Sequence, residues 1–380
     1  PMISLPLFIY MGYVLSESGI ANDLYRMFHV WMGPLPGGLA LGTVGLMVAV
    51  SAMNGLSVAG LAIGASIAMP EMLKRGYDKR MVTGIIQAGS SIGLMMPPSV
   101  VLVLYGMIAR QPVSTLWIAG IGPALLLAAM LTLYIVIRCK LNPALAPALS
   151  KEELASISPE ERRRLLRAGL LPLVIIVAVT GSFLTGMASL VESSAVGALV
   201  ATLAAYFKKR LTRKVMNVAL VQTLSVSCMF MWIIMGALCF SSVFDGLGAV
   251  HAIKTLFLDG WHLSPWGVLI VMQISFLILG MFLDDTAMLI IVAPLYIPLV
   301  KALGFDPIWY GVLYTITCQI AYMTPPLGYN LFLMKAMAPK GVTMNDIYAS
   351  ILPVVSLLLL SLILVMIFPD IAMYLTRAFK

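Results

Sequence analysis

Two adjacent acids, Asp284 and Asp285, stand inside the apolar stretch GMFLDDTAMLIIVAPL. A carboxylate within a membrane segment carries a penalty of about 2.5–3.5 kcal/mol on insertion scales, so it normally has a partner or a task. Two roles fit: a cation ligand or proton carrier, or a helix cap satisfying the free amides at the start of 286–300. Ser51, Asn54, Gly55 and Ser57 interrupt a second apolar stretch with neutral oxygens on a glycine bend. Gly89, Ser90, Ser91 and Gly93 precede Pro97, and Thr317, Gln319 and Thr324 flank Pro325. Sodium, like other hard cations, takes oxygen ligands, and carbonyls freed where a helix breaks supply them.

The sodium candidates are therefore Ser51, Asn54, Gly55, Ser57, Gly89, Ser91 and Pro97 around the first interruption. Around the second they are Asp284, Asp285, Thr286, Thr317, Gln319 and Thr324. Each single Ser or Gly also admits a plainer role, letting helices pack closely. Helix N-termini just after a break present free N–H groups and partial positive charge, which suits a carboxylate. Asn54, Ser90, Ser99, Thr324 and Asn330 are the substrate candidates beside such ends. Arg110 and Lys335 are the nearest fixed cations after the broken spans, each near a span end where long side chains snorkel to the interface.

Other chemistries lack their residues. An aspartyl-protease dyad needs two acids facing each other from separate helices, which neighbours in sequence cannot do. His29, His251 and His262 fall in expected loops without catalytic spacing, and no Gly-rich phosphate loop occurs. The four cysteines form no CxxC or Cys/His pattern, so neither a disulfide framework nor a metal other than sodium is expected. Glu192, in GMASLVESSAVGA, reads as a turn residue between two spans.

The elements that must position these residues are membrane helices. Of 380 residues, 61% are hydrophobic and 11% charged, against roughly 25% charged in soluble proteins. Apolar runs recur along the whole chain, each near or above the about 20 residues a bilayer crossing needs. The net charge of +8 sits in short loops between them, so it reflects membrane topology and not nucleic-acid binding. The chain opens on Pro1 and runs at once into ISLPLFIYMG, so natural sequence is expected to precede it.

A shift of 228 positions superposes Pro70 on Pro298, Gly76 on Gly304, Asp78 on Asp306 and Pro97-Pro98 on Pro325-Pro326. Each copy reads as a hairpin (37–52 and 59–70; 264–281 and 287–300) followed by a span broken at adjacent prolines (82–108; 308–335). Unwound backbone at membrane depth is tolerated only inside protein or along a cavity, so the four breaks should converge on a polar site. Loop 71–80 holds four Lys or Arg, 138–168 seven and 208–214 five, whereas 299–308 holds one. The positive-inside rule then puts the first three in the cytoplasm, and span parity puts 299–308 outside. The copies are thus inverted, as in secondary transporters. Within 138–168, Ser158-Pro159-Glu160-Glu161 predicts the capped start of a short surface helix.

The segments LPLFIYMGYVLSESGIANDLY, LPGGLA, PEMLKRGYDKR, GLMMPPSVVLVLYG, GMFLDDTAMLIIVAPLYIPLVKALGFDP and MTPPLGYNLFL occur in this order. Together they resemble the large, DctM-type membrane subunit of TRAP (tripartite ATP-independent periplasmic) transporters over nearly the whole chain. The resemblance implies an all-α polytopic fold of elevator type, with hairpins and broken helices as a moving transport domain and the other helices as scaffold. It divides the chain into scaffold 1–36, transport repeat 37–113, scaffold 114–243, transport repeat 244–340 and a scaffold helix 341–380. It implies no cofactor beyond sodium as the coupling ion. It also implies a small membrane subunit, a periplasmic substrate-binding protein, an organic-acid substrate and a multi-pass place in the bacterial inner membrane. Many members have a Gly/Ser-rich first tip where this chain has MNGLS, Asn-Leu-Glu-Ile where it has Thr317 to Ile320, and Thr-Pro-Thr-Glu where it has Ser189 to Glu192. A stand-alone divalent-anion/sodium symporter of similar design is the alternative within transport. A polytopic membrane enzyme is the alternative outside it, with no nucleophile–base pair to support it.

Overall fold

A computed structural model describes residues 3–378 apart from 34, 36, 56, 149–157, 249–251, 253–254, 256–262, 284–287, 290 and 327. Among the described residues five helices are long and apolar enough to cross a membrane. They are α8 (Val113–Leu141), α9 (Pro159–Leu184), α10 (Leu190–Phe207), α11 (Arg213–Gly246) and α16 (Met344–Ile367). Their outward faces carry large bare side chains such as Leu133, Val177, Trp232 and Leu352, as a lipid-facing surface requires. Shorter helices fill the space between them. They are α1 (Ser4–Glu17), α2 (Ile20–Met32), α3 (Gly38–Asn54), α4 (Ser57–Ile63), α5 (Met69–Lys74), α6 (Lys79–Ser91) and α7 (Val100–Ala109). Beyond α11 come α12 (Pro265–Gly280), α13 (Ala293–Ala302), α14 (Pro307–Ala321), α15 (Tyr329–Met337) and, after α16, α17 (Asp370–Ala378).

Local chemistry sets the boundaries. Asp78 caps α6 by accepting from Met81 N, and Asp306 caps α14 by accepting from Ile308 N, with Pro307 in the first turn. Gly76 and Gly304 precede these caps with φ of 78° and 83°, a region open to glycine at little cost. Ser189 and Glu192 form a capping box at α10, so Glu192, expected in the turn between two spans, stands in the first turn of the helix that follows it, with Ser189 as the cap.

Two expectations change. Ser158 does cap a helix, but that helix is no short surface element. Nothing between Glu161 and Leu171 breaks the ladder, and the run of Arg and Leu continues α9 through 26 residues. His29 sits in the last turn of α2, not in a loop. His251 and His262 lie outside the described residues.

The three basic loops share one face. Asp78 N donates to Leu145 O (2.9 Å), joining loop 71–80 to 138–168. Lys208 Nζ reaches Ala168 O (3.4 Å), joining 208–214 to the same loop. Asp23 of α2 locks this face by accepting from both Lys208 (2.8 Å) and Arg210 (2.9 Å).

Both Pro-Pro pairs interrupt their helices. Between α6 and α7 the chain makes a short 3-10 turn, Ile92–Leu94, and then leaves helical geometry until Val100. Between α14 and α15 helix stops at Ala321 and resumes at Tyr329. The two interrupted spans run in opposite directions. Lys79 Nζ at the start of the first donates to Gly341 O just past the end of the second (2.6 Å). Tyr105 Oη near the end of the first donates to Pro307 O at the start of the second (2.7 Å).

Candidate functional site

The tip between α3 and α4 reaches both interrupted spans. Gly55 has φ of 63° and lies so close to Pro98 that a Cβ there would overlap the Pro98 carbonyl oxygen. Its own carbonyl accepts from Val100 N (3.4 Å), the first amide of α7. Two residues on, Ser57 Oγ accepts from Asn330 Nδ2 of α15 (3.1 Å), and both side chains are buried. The starts of α7 and α15, the positive ends of their helix dipoles, are thereby drawn to one hairpin tip. The sequence pairs each hairpin with its own broken helix. The geometry adds a contact between the first hairpin and the second broken span.

The remaining candidates divide. Ser90 and Ser91 are fully buried, but their hydroxyls bond back to Gln87 O (2.9 Å) and Ala88 O (2.8 Å). Gly89 is a packing residue: a Cβ would stand 2.7 Å from Met47 Cγ of α3. Pro97 is buried in the first break, next to the Pro98 carbonyl that Gly55 approaches. Ser99 caps α7, with Leu102 N on its hydroxyl (3.2 Å) and Trp117 Nε1 on its carbonyl (3.1 Å). Thr324 bonds to Ile320 O (2.7 Å) beside the second break, where Pro325 and Pro326 are exposed. Asp284, Asp285 and Thr286 lie outside the described residues, as do the side chains of Ser51 and Asn54.

A buried polar core underlies the second break. Thr317 Oγ1 donates to Gln273 Oε1 (2.7 Å) of α12, which leaves Gln273 Nε2 unpartnered. Gln319 is fully buried with neither amide atom hydrogen-bonded, and Asn330 Oδ1 is likewise free. Buried polar atoms normally find partners, so the open atoms of Gln273, Gln319 and Asn330 are the polar groups here with capacity left to bind. Gln273 was missed by the sequence reading. Its signal was an amide inside the apolar run 264–281, the same signal that exposed the aspartates.

A cavity of about 360 Å³ adjoins the second break, lined by Gly280, Leu283, Met288, Tyr322, Gly328 and Tyr329 among others. It opens between the second hairpin and the second broken span. Neither nearby cation reaches a break. Lys335 Nζ caps Val342 O (2.8 Å), and Arg110 ends α7 in an exposed left-handed turn with φ of 53°. Charge at the tips is thus set by helix ends and neutral side chains among the described residues.

Residues 1–371 match the family model "Tripartite ATP-independent periplasmic transporter, DctM component". The C4-dicarboxylate TRAP transporter large permease protein DctM of Pseudomonas aeruginosa is 31% identical over 98% of this chain and 85% of its own length. The ectoine large permease TeaC of Halomonas elongata is 28% identical over 98% and 86%. The sialic acid permease SiaT of Haemophilus influenzae is 27% identical over 98% of this chain and 59% of its own length. Among solved structures, the Alcanivorax borkumensis YdaH transporter superposes with a TM-score of 0.69 at 15% identity. That match covers 99% of this chain and 84% of the transporter, a likeness of fold. The chain therefore belongs to the DctM component family of tripartite ATP-independent periplasmic transporters, whose members are transport permeases and not enzymes.

Proposed function

We propose that this chain is the permease subunit for sodium-coupled uptake of an organic acid that a periplasmic binding protein delivers. The observation that carries the reading is the convergence of the 55–57 tip with the starts of α7 and α15, beside buried amides that lack partners. Helix N-termini favour a carboxylate, and freed carbonyls with Ser, Asn and Gln oxygens favour sodium. The named relatives act on C4-dicarboxylates, ectoine and sialic acid, solutes that each carry a carboxylate.

In this reading sodium sits among Ser51, Asn54, Gly55, Ser57 and the 89–97 segment on one side. On the other it sits among Asp284, Asp285, Thr286, Thr317, Gln319 and Thr324. The carboxylate binds between them, near Asn54, Ser90, Ser99, Thr324 and Asn330. The two hairpin-plus-broken-span units, 37–113 and 244–340, are inverted repeats that move together against the scaffold as an elevator. Their opposite directions, their shared cap geometry at Asp78 and Asp306 and their paired proline breaks support this. The basic face is cytoplasmic in the inner membrane, and a small membrane subunit completes the transporter.

The test is reconstitution of both membrane subunits in liposomes, with radiolabelled dicarboxylate and an inward sodium gradient. Accumulation should require the binding protein. Equal accumulation without it would favour a stand-alone symporter and overturn the reading.

A further inference from the structure

A larger groove, about 560 Å³, runs between α3, α8 and α9, away from the second break. One face of α3 forms a wall, with Leu41, Val44, Val48 and Ala52 recurring at helical spacing. On the facing side α8 presents the short side chains of Ala128 and Ala129, which leave the space open, and α9 closes the third side. Among the described residues Thr132 is the only lining side chain that carries an oxygen.

This lining excludes polar occupants. A site for a soluble ligand needs several convergent polar groups, and a water needs two or more polar partners. One hydroxyl supplies neither. Left empty, the walls would forfeit their dispersion contacts. The occupant is therefore apolar.

The groove's position and length say which apolar group fills it. Its near end, at Met32 and Leu41, lies by the basic face, where Gly37 N donates to Ala146 O of loop 138–168 (3.1 Å). Trp31, beside Met32, is 46% exposed, with the Arg162 guanidinium 4.7 Å over its ring. Exposed tryptophan beside arginine marks the headgroup level of a bilayer. The far end, at Ala52 and Met96, meets the first hairpin tip and the first break. From Leu41 to Ala52 the helix rises about 16 Å, the depth of one leaflet in a hydrocarbon core about 30 Å thick. Spread over that length, the volume gives a mean cross-section of about 35 Å². A helix about 10 Å across fills about 80 Å², so the groove is too narrow for one. Its mouth opens to the bilayer, because Leu125 and Val177 line it and are 52% and 70% exposed.

We infer that this groove holds one acyl chain of a lipid from the leaflet on the basic face, lying along α3 between α8 and α9 with its end against Met96. The site selects a chain and not a headgroup. It lies where α3, which the elevator reading moves, faces α9 of the scaffold, but its occupancy does not depend on that reading or on sodium.

The experiment has two arms on the full chain. In native mass spectrometry from detergent, the wild type should retain one lipid per chain, whether phosphatidylethanolamine, phosphatidylglycerol or diacylglycerol of the same acyl chains is supplied. Ala129→Phe, which fills the groove, should lose that lipid. Leu224→Phe, on the lipid-facing side of α11 outside the groove, should keep it. In the second arm, phosphatidylethanolamine with a diazirine at mid-chain is photolysed on the wild type in liposomes, and the labelled residues are mapped. Label should concentrate on the groove residues of α3, α8 and α9. Label spread evenly over the exposed faces of α10 and α11 would show an ordinary lipid shell and overturn the assignment. So would full retention by Ala129→Phe, or retention of phosphatidylethanolamine without diacylglycerol. The label map uses the wild type alone, so it decides the matter even if Ala129→Phe fails to fold.

Discussion

Asn330 Nδ2 donates to Ser57 Oγ at 3.1 Å across 273 residues of chain. This one bond ties the first hairpin to the second interrupted span, and it leaves Asn330 Oδ1 buried and open. An open carbonyl oxygen beside a hydroxyl, at the start of α15, is a ready ligand for a cation or for a protonated group of a solute.

Asn330→Ala should therefore cut uptake by about tenfold or more, since losing one buried contact to a charged ligand is worth about 1.5–3 kcal/mol. Ser57→Ala should cut it less. The double variant should be little worse than Asn330→Ala alone, because the pair acts as a unit. Initial uptake rates in proteoliposomes, normalised to folded protein, check this. Strictly additive losses would show that the pair does not share a ligand.

Glycine substitutions should separate backbone freedom from close approach. Gly55→Ala puts a Cβ on the Pro98 carbonyl as well as straining a positive φ. Gly76→Ala meets nothing within 4 Å and suffers only the left-handed penalty of roughly 1–2 kcal/mol. Thermal unfolding in detergent should place Gly55→Ala several degrees below Gly76→Ala. Equal melting would mean that the tip does not press on the first break.

The Gln273–Thr317 pair gives a test of the buried polar core. Thr317→Val leaves Gln273 Oε1 without its 2.7 Å donor, a loss of about 1–3 kcal/mol for an unsatisfied buried group. Replacing both, Thr317→Val with Gln273→Leu, should recover most of that stability in thermal melts. The double variant should nevertheless fail in uptake if these atoms serve the ion.

On the basic face, burial opposes ionisation of Asp23, but hydrogen bonds and charge from Arg210 and Lys208 outweigh it and hold its carboxyl below the usual range. A depressed acid contributes stability above its unfolded pKa, near 3.9, and loses it as pH falls through the lower folded value. Melting between pH 5 and 8 should therefore be insensitive to this group. Asp23→Asn at pH 7 should lower stability by about 1.5–3 kcal/mol, the range for hydrogen bonds to a charged group. A melting temperature unchanged by Asp23→Asn would show that the link between α2 and the 208–212 loop is dispensable.

Much of this was legible in the sequence because it rests on residues that constrain the backbone locally. Pro97-Pro98 and Pro325-Pro326 remove amide donors wherever they occur, so both helix breaks follow from residue type alone. Asp78 and Asp306 mark helix starts by the same local logic. Loop charge placed 71–80, 138–168 and 208–214 on one face, and the Asp78–Leu145 and Lys208–Ala168 bonds put them there. The contact of Ser57 with Asn330 was not legible. A sequence offset aligns equivalent positions but carries no record of which copy packs on which. Gln273 was overlooked because attention went to charge, although a neutral amide is also costly at membrane depth. The length of α9 was missed because a capped polar start and an apolar span were read as two elements when no breaker stands between them.

The most direct test of the account is sodium dependence of uptake by the reconstituted transporter, with binding protein present and no ATP. An inward sodium gradient should drive accumulation of a dicarboxylate above its outside concentration, Asn330→Ala should slow it by about tenfold or more, and potassium in place of sodium should leave only leak. Undiminished accumulation with potassium would contradict the central claim that the joined tips and helix ends bind sodium together with the acid.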